Sequence, residues 1–301
     1  VNFELGTDEI ALINSVRQAL GRTATLSAAR DALDGGQRAD LWPEAVKGGW
    51  NDLPELLYGA LVLIECGRVL APTGLLGHLT ARFAVPNLDA SKRTAYVPLD
   101  GKYVPDAAEA EVLVAETPDG GLLLVGQAEV EAVGNYDASR PLGNVTVHSG
   151  TPVDGDARHA WNVAQTLLAA ETLGASEAAL AMAVGYAKQR KAFGRAIGSF
   201  QAIKHQLTDG LRLNENARSL LYYACYAAGS AEFELAANAA RFAADQAIGV
   251  VTQRCIAIHG GIGATWEHDA HLYFRRAQLT RLLLGGQAGA GEKVVTHVIS
   301  G

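Results

Sequence analysis

Tyr186-Ala187-Lys188-Gln189-Arg190-Lys191-Ala192-Phe193-Gly194-Arg195-Ala196-Ile197-Gly198-Ser199-Phe200-Gln201-Ala202-Ile203-Lys204-His205 joins two long helical patterns through a turn rich in cations and glycine. Apolar residues recur at helical spacing from Trp161 to Gln189 and again from Phe200 to Ala228. Arg190 falls where the first pattern ends, and a cation there complements the helix dipole. Its planar fork also suits phosphate oxygens, so Arg190 reads either as a solvated helix-end cation or as an anion contact. Gly194 lets the chain turn sharply, Phe193 offers a flat apolar surface, and Gln201 offers both a donor and an acceptor.

Working outward, the chain after Asp154-Gly155-Asp156 is alanine-rich, and two further helical patterns run from Glu232 to Ala257 and from His268 to Leu284. Four helices of this length predict a bundle. Between the last two lies His259-Gly260-Gly261-Ile262-Gly263-Ala264-Thr265-Trp266-Glu267-His268. Gly260, Gly261 and Gly263 read as a helix-ending turn or as backbone that lets amides approach an anion or a base edge. Towards the N-terminus, Asp8 is expected to cap a helix reaching Arg22, and Pro54 opens a second helix from Glu55 to Leu70. From about Arg93 to Val147 the texture changes to short runs such as Val112-Leu113-Val114-Ala115 and Gly121-Leu122-Leu123-Leu124-Val125. Pro118-Asp119-Gly120 and Gly134-Asn135 separate them, which predicts a small β domain.

A chain of 301 residues buries a core without a metal or disulfide staple. Cys66, Cys225 and Cys255 are odd in number and widely spaced, which predicts reduced thiols and a cytoplasmic setting. The first residues, Val1-Asn2-Phe3-Glu4-Leu5, carry no export signal, and no apolar run is expected to cross a membrane. A net charge of -7 argues against a nucleic-acid partner. The cluster His259, His268, Asp269 and His271 invites a metal reading, but its spacing fits no common motif, and Asp269 reads better as a capping or helix-start carboxylate.

The stretch around Arg190 and the glycine turn, in this order, resemble two signatures of the acyl-CoA dehydrogenases. The phrase Ala60-Leu61-Val62-Leu63-Ile64-Glu65-Cys66-Gly67-Arg68-Val69-Leu70-Ala71-Pro72 is similar to that family's N-terminal helical domain. The resemblance implies a mainly α fold with a small β domain: N-terminal helices over residues 1–90, a reduced middle β domain over 91–153 and a C-terminal four-helix bundle over 154–301. It also implies FAD, with Arg190, Phe193, Gln201, Gly260 and Gly261 reaching across a subunit interface to a neighbour's cofactor. One departure stands out. The family commonly places a Gln three residues before the first glycine, where this chain has Ala257, so part of the adenosine contact is missing or supplied otherwise.

An acyl-CoA dehydrogenase removes a proton α to a thioester and therefore needs a positioned carboxylate. The usual position of that Glu falls here on Leu284, and the alternative position on the first bundle helix falls on Ala164. Glu171, two turns further along the same face, is left as the candidate base, although it reads better as a buried, satisfied or interfacial carboxylate. The family's Thr-Glu-Pro-x-x-Gly-Ser-Asp phrase and Trp-x-Thr segment are not matched between Thr80 and Val147. This combination resembles the degenerate partner subunits of heteromeric actinobacterial steroid-catabolic enzymes. The resemblance implies an α2β2 heterotetramer with a paralogous chain, a steroid-derived acyl-CoA and an electron-transfer flavoprotein as acceptor. A self-sufficient homotetramer with an atypical base and a non-catalytic helical scaffold are the alternatives.

Overall fold

The computed structural model describes residues 4–23 and 25–300, Ser300 through its backbone only. The reading made of residues 1–3 lies outside them. Five helices come first: α1 (Thr7–Leu20), α2 (Thr25–Leu33), α3 (Trp42–Lys47), α4 (Leu56–Arg68) and α5 (Leu75–Ala84). Asp8 does not cap α1. The cap position is Gly6, with no side-chain cap bond, and Asp8 lies in the first turn, where its charge still complements the helix dipole.

The sheet follows, with strands β1 (Thr94–Val97), β2 (Val104–Pro105), β3 (Val112–Glu116), β4 (Leu122–Val133) and β5 (Leu142–Val153) in the spatial order β1-β3-β4-β5-β2. Only β1 and β3 are parallel. The turn between β3 and β4 is closed by Thr117 N donating to Gly121 O at 3.0 Å, with Gly120 at φ 86°. One face of the sheet, through Tyr96, Val114 and Leu122, packs on Ala81 and Ala84 of α5 and on alanines of the next helix.

That helix, α6 (Ala157–Gln189), is the axis of the molecule. Asp156 caps it by accepting from His159 N at 2.6 Å. Then come the hairpin β6 (Lys191–Ala192) and β7 (Arg195–Ala196), α7 (Gln201–Ala227), α8 (Phe233–His259), α9 (Ala270–Thr280) and α10 (Gly286–Ser300). The sequence reading has no α10, because Gly286, Gly289 and Gly291 interrupt its pattern. It also runs the preceding helix on to Leu284, where the chain instead leaves helical geometry. Asp269 stands at the cap position of α9 without a side-chain cap bond, and pairs with Arg30 instead.

α6 corrects a second expectation, since by length and composition it is apolar enough to cross a membrane. Its burial explains the composition: alanines along it face α4, α7 and α8, and Ser176 donates to Asn214 of α7 at 2.6 Å. Glycine brings α4 and α6 into backbone contact. A Cβ on Gly174 would lie 1.9 Å from Ile64 O, and one on Gly67 would lie 2.0 Å from Glu171 O. No side chain fits between helices this close, so the pair is fixed by the absence of two Cβ atoms.

Candidate functional site

Two of the sequence motifs meet at one end of the bundle. α6 stops at Arg190, whose φ of −68° and ψ of 128° are extended, and whose N–H still bonds Tyr186 O at 2.8 Å. β6 and β7 then pair with Ala192 opposite Arg195, leaving Phe193 and Gly194 as a two-residue loop at φ 52° and 79°. Positive φ at both positions marks the primed turn that suits a tight hairpin. A phenylalanine is costly there, yet Phe193 is 95% exposed and gains no core burial in return. Behind it Phe200 stands edge-on at 6.2 Å, with the Arg195 guanidinium 4.2 Å from the Phe200 ring centroid. Gln201 opens α7 and is exposed.

The glycine turn ends α8 at the same place. Gly260, at φ 65° and ψ −141°, has a backbone that favours glycine. A Cβ on Gly263 would lie 2.8 Å from Ile256 O, whereas Gly260 and Gly261 face open space. The link between the motifs is aromatic: Tyr186 of α6 stacks on His259 at 4.3 Å, and His259 stacks on His268 at 4.2 Å. His259 Nδ1 donates to Cys255 O at 2.7 Å, which leaves buried Nε2 as an acceptor with no partner. The other members of the His/Asp cluster go elsewhere, His271 against Trp266 and Asp269 to Arg30.

The positions expected to carry a base converge at the junction of sheet and bundle. Leu284 packs against the apolar cluster that contains Ala164, which is 1% exposed. Gln165 Nε2 donates to Leu284 O at 2.8 Å, and its Oε1 accepts from Arg241 at 3.1 Å. Fully buried Arg241 also donates to Thr280 O at 2.7 Å and pairs with Asp245. This network clamps three consecutive left-handed residues, Leu284 (φ 51°), Gly285 (φ 76°) and Gly286 (φ 60°). Beside them lies a cavity of about 270 Å³ lined by Tyr103, Glu116, Trp161 and Leu284, small for a ligand pocket. Burial raises the Glu116 carboxyl above its usual range, and it already accepts from Tyr96 Oη and from Leu99 N at 2.9 Å.

Glu171 is 3% exposed and bound into an ion cluster: Arg140 and Arg276 donate to its Oε1, and Arg276 also pairs with Asp137. Burial pushes its carboxyl up, but the two guanidiniums outweigh that and hold it below the usual glutamate range. A carboxylate so held is a poor proton acceptor. The clamp on Leu284 and the cluster at Glu171 join residues far apart in sequence, and no local signal announces either. The Tyr186–His259 stack is equally silent in the sequence.

A helical N-terminal layer, a small sheet and a helical bundle with a cationic hairpin beside a glycine turn define an acyl-CoA dehydrogenase-like flavoprotein fold. Residues 155–292 match the profile described as acyl-CoA dehydrogenase, C-terminal domain. The chain is 36% identical over 260 residues to acyl-CoA dehydrogenase IpdE2 of Mycobacterium tuberculosis, covering 83% of this chain and 79% of that one. Among solved structures, the Tcur3481-Tcur3483 steroid ACAD superposes with a TM-score of 0.86 at 26% identity, covering 99% of each chain. The ChsE4-ChsE5 complex from Mycobacterium tuberculosis gives 0.87 at 21% identity, covering 100% of each, and attests the fold. The chain belongs to the acyl-CoA dehydrogenase family, whose cofactor is FAD.

The residues present fit that cofactor. Among the described residues, Lys188, Arg190, Lys191 and Arg195 form no ion pair with a carboxylate and so are available to a diphosphate. The space over Gly260 and Gly261 is open, and His259 Nε2 is a buried acceptor without a partner.

Proposed function

We propose that this chain is the subunit of a heteromeric acyl-CoA dehydrogenase that completes a partner's FAD site, the partner supplying the catalytic base. The observation that carries this reading is the contrast between two places in the fold. The cation-and-glycine corner is open and unpaired, while both base positions are apolar, packed and clamped. FAD, when bound, supplies the two-electron acceptor for desaturation of the CoA thioester at the α,β bond. In this chain Arg190 would hold a pyrophosphate oxygen by a charge-assisted bond, Phe193 would cover a flat group, and Gln201, Gly260 and Gly261 would complete the contact. The ion-paired Glu171 and the apolar Leu284 and Ala164 count against the self-sufficient reading.

A steroid-derived thioester as substrate is supported by the steroid ACAD among the structural relatives. An α2β2 assembly with a paralogous chain draws support from the Tcur3481-Tcur3483 and ChsE4-ChsE5 pairs. Transfer to an electron-transfer flavoprotein belongs to the same proposal, as does a cytoplasmic setting, which three free thiols favour. Arg190→Ala tests the reading directly. Losing a charge-assisted hydrogen bond, roughly 1.5–3 kcal/mol, should weaken FAD retention by the assembly about tenfold or more. Unchanged flavin content in that variant would argue against the cross-subunit role.

A further inference from the structure

His271, Phe274 and Gln278 recur at helical spacing, so they share one face of α9, and Leu282 continues that face just beyond it. With Ile256 of α8 and Ala264 of the turn after it they line a cavity of about 620 Å³, the size of an ordinary ligand pocket, whose walls are mainly apolar. Tyr136, on the loop between β4 and β5, closes one side. That loop is pinned from within the chain, since Asp137 pairs with Arg276 and Arg275 Nη1 donates to Tyr136 O at 3.2 Å. One part of the lining is polar. His271 is 8% exposed, and neither ring nitrogen has a partner. Burial and then the Arg275 charge lower it below the usual histidine range, so near neutral pH it is an uncharged ring with one N–H to donate. Arg275 is half-buried, 5.4 Å from the Trp266 ring centroid, and forms no ion pair with a carboxylate among the described residues. Arg30 and Asp269 also act on His271, but they pair with each other and their charges cancel.

We propose that this cavity binds a carboxylate with a bulky apolar body, its carboxylate on Arg275 and the His271 N–H, its body against Phe274, Ile256 and Leu282. The assignment is independent of the flavin reading. The planar fork of an arginine matches a carboxylate, and one unpaired cation matches one negative charge. A dianionic phosphate would leave half its charge uncompensated against apolar walls, and an uncharged ligand would leave the polar groups unanswered. In an enzyme of CoA thioesters the site has a definite selectivity. It takes the free acid and not the activated form, whose carboxylate is consumed in the thioester bond.

Titration calorimetry with 1-pyrenebutyrate and with its methyl ester tests this, on the full chain alone and on its flavin-loaded assembly with a partner. The acid should bind once per copy of this chain, about tenfold or more tighter than the ester. Arg275→Gln should weaken the acid about tenfold or more, the loss of a charge-assisted hydrogen bond, and leave the ester unchanged. Ala264→Phe, which sets a ring in the cavity, should abolish binding of both. The comparison of acid with ester on the unaltered chain reports even where a substitution disturbs folding. No binding, equal affinity for acid and ester, or an acid indifferent to both substitutions overturns the proposal. Binding to the chain alone that vanishes in the flavin-loaded assembly also overturns it, because the cavity is then a subunit or cofactor contact.

Discussion

Replacing Glu171 by Gln separates a structural carboxylate from a catalytic one. The substitution keeps the shape but removes the charge that faces Arg140 and Arg276, which are 6% and 2% exposed in their side chains. Breaking one partner of a buried ion cluster costs about 3–5 kcal/mol, because the guanidiniums stay buried with less compensation. An unfolding entropy of about 2.1 cal/mol/K per residue converts this to a fall in Tm of roughly 5–8 °C for a chain of this length. The pH dependence has a definite sign. Glu171 and Asp137 both have carboxyls held below their usual range, so their stabilisation is fully present above the unfolded-state values. It is lost as pH falls from about 4 through the depressed folded-state values. Acid unfolding of Glu171→Gln should therefore be less steep in that window. Scanning calorimetry reads both effects, and turnover of the assembled enzyme near neutral pH should persist once the variant is folded. An unchanged Tm together with collapsed turnover would refute the reasoning and make Glu171 the base.

Gly174→Ala should destabilise the chain by at least about 1–3 kcal/mol, since its Cβ would overlap Ile64 O at 1.9 Å; chemical denaturation measures it. Phe193→Asn should stabilise the isolated chain by about 1 kcal/mol, because Asn tolerates the left-handed region and little packing is lost, while flavin retention by the assembly falls.

The order of helices, sheet and bundle was legible because its signals are local: apolar spacing in α4 and α6 to α9, Pro and Gly punctuation between strands, and the two motifs. α10 was not, since three glycines hide an amphipathic helix held by packing on α8. Leu284 and Ala164 were legible as the absence of a base, yet only the fold shows them meeting against one apolar cluster. The expected cap at Asp8 failed, and Asp269 starts α9 as expected but makes no cap bond, for a common reason. A carboxylate near a helix start has other options, here the helix dipole for Asp8 and Arg30 for Asp269. The partners of Glu171 on α9 and on the segment before β5 lie far along the chain, beyond what local patterning reports.

Flavin stoichiometry and native mass test the central claim most directly, measured on this chain purified alone and after co-expression with a paralogous acyl-CoA dehydrogenase chain. The account predicts a colourless protein alone and a yellow assembly with two FAD per four chains together. Four FAD on a homotetramer of this chain would contradict it.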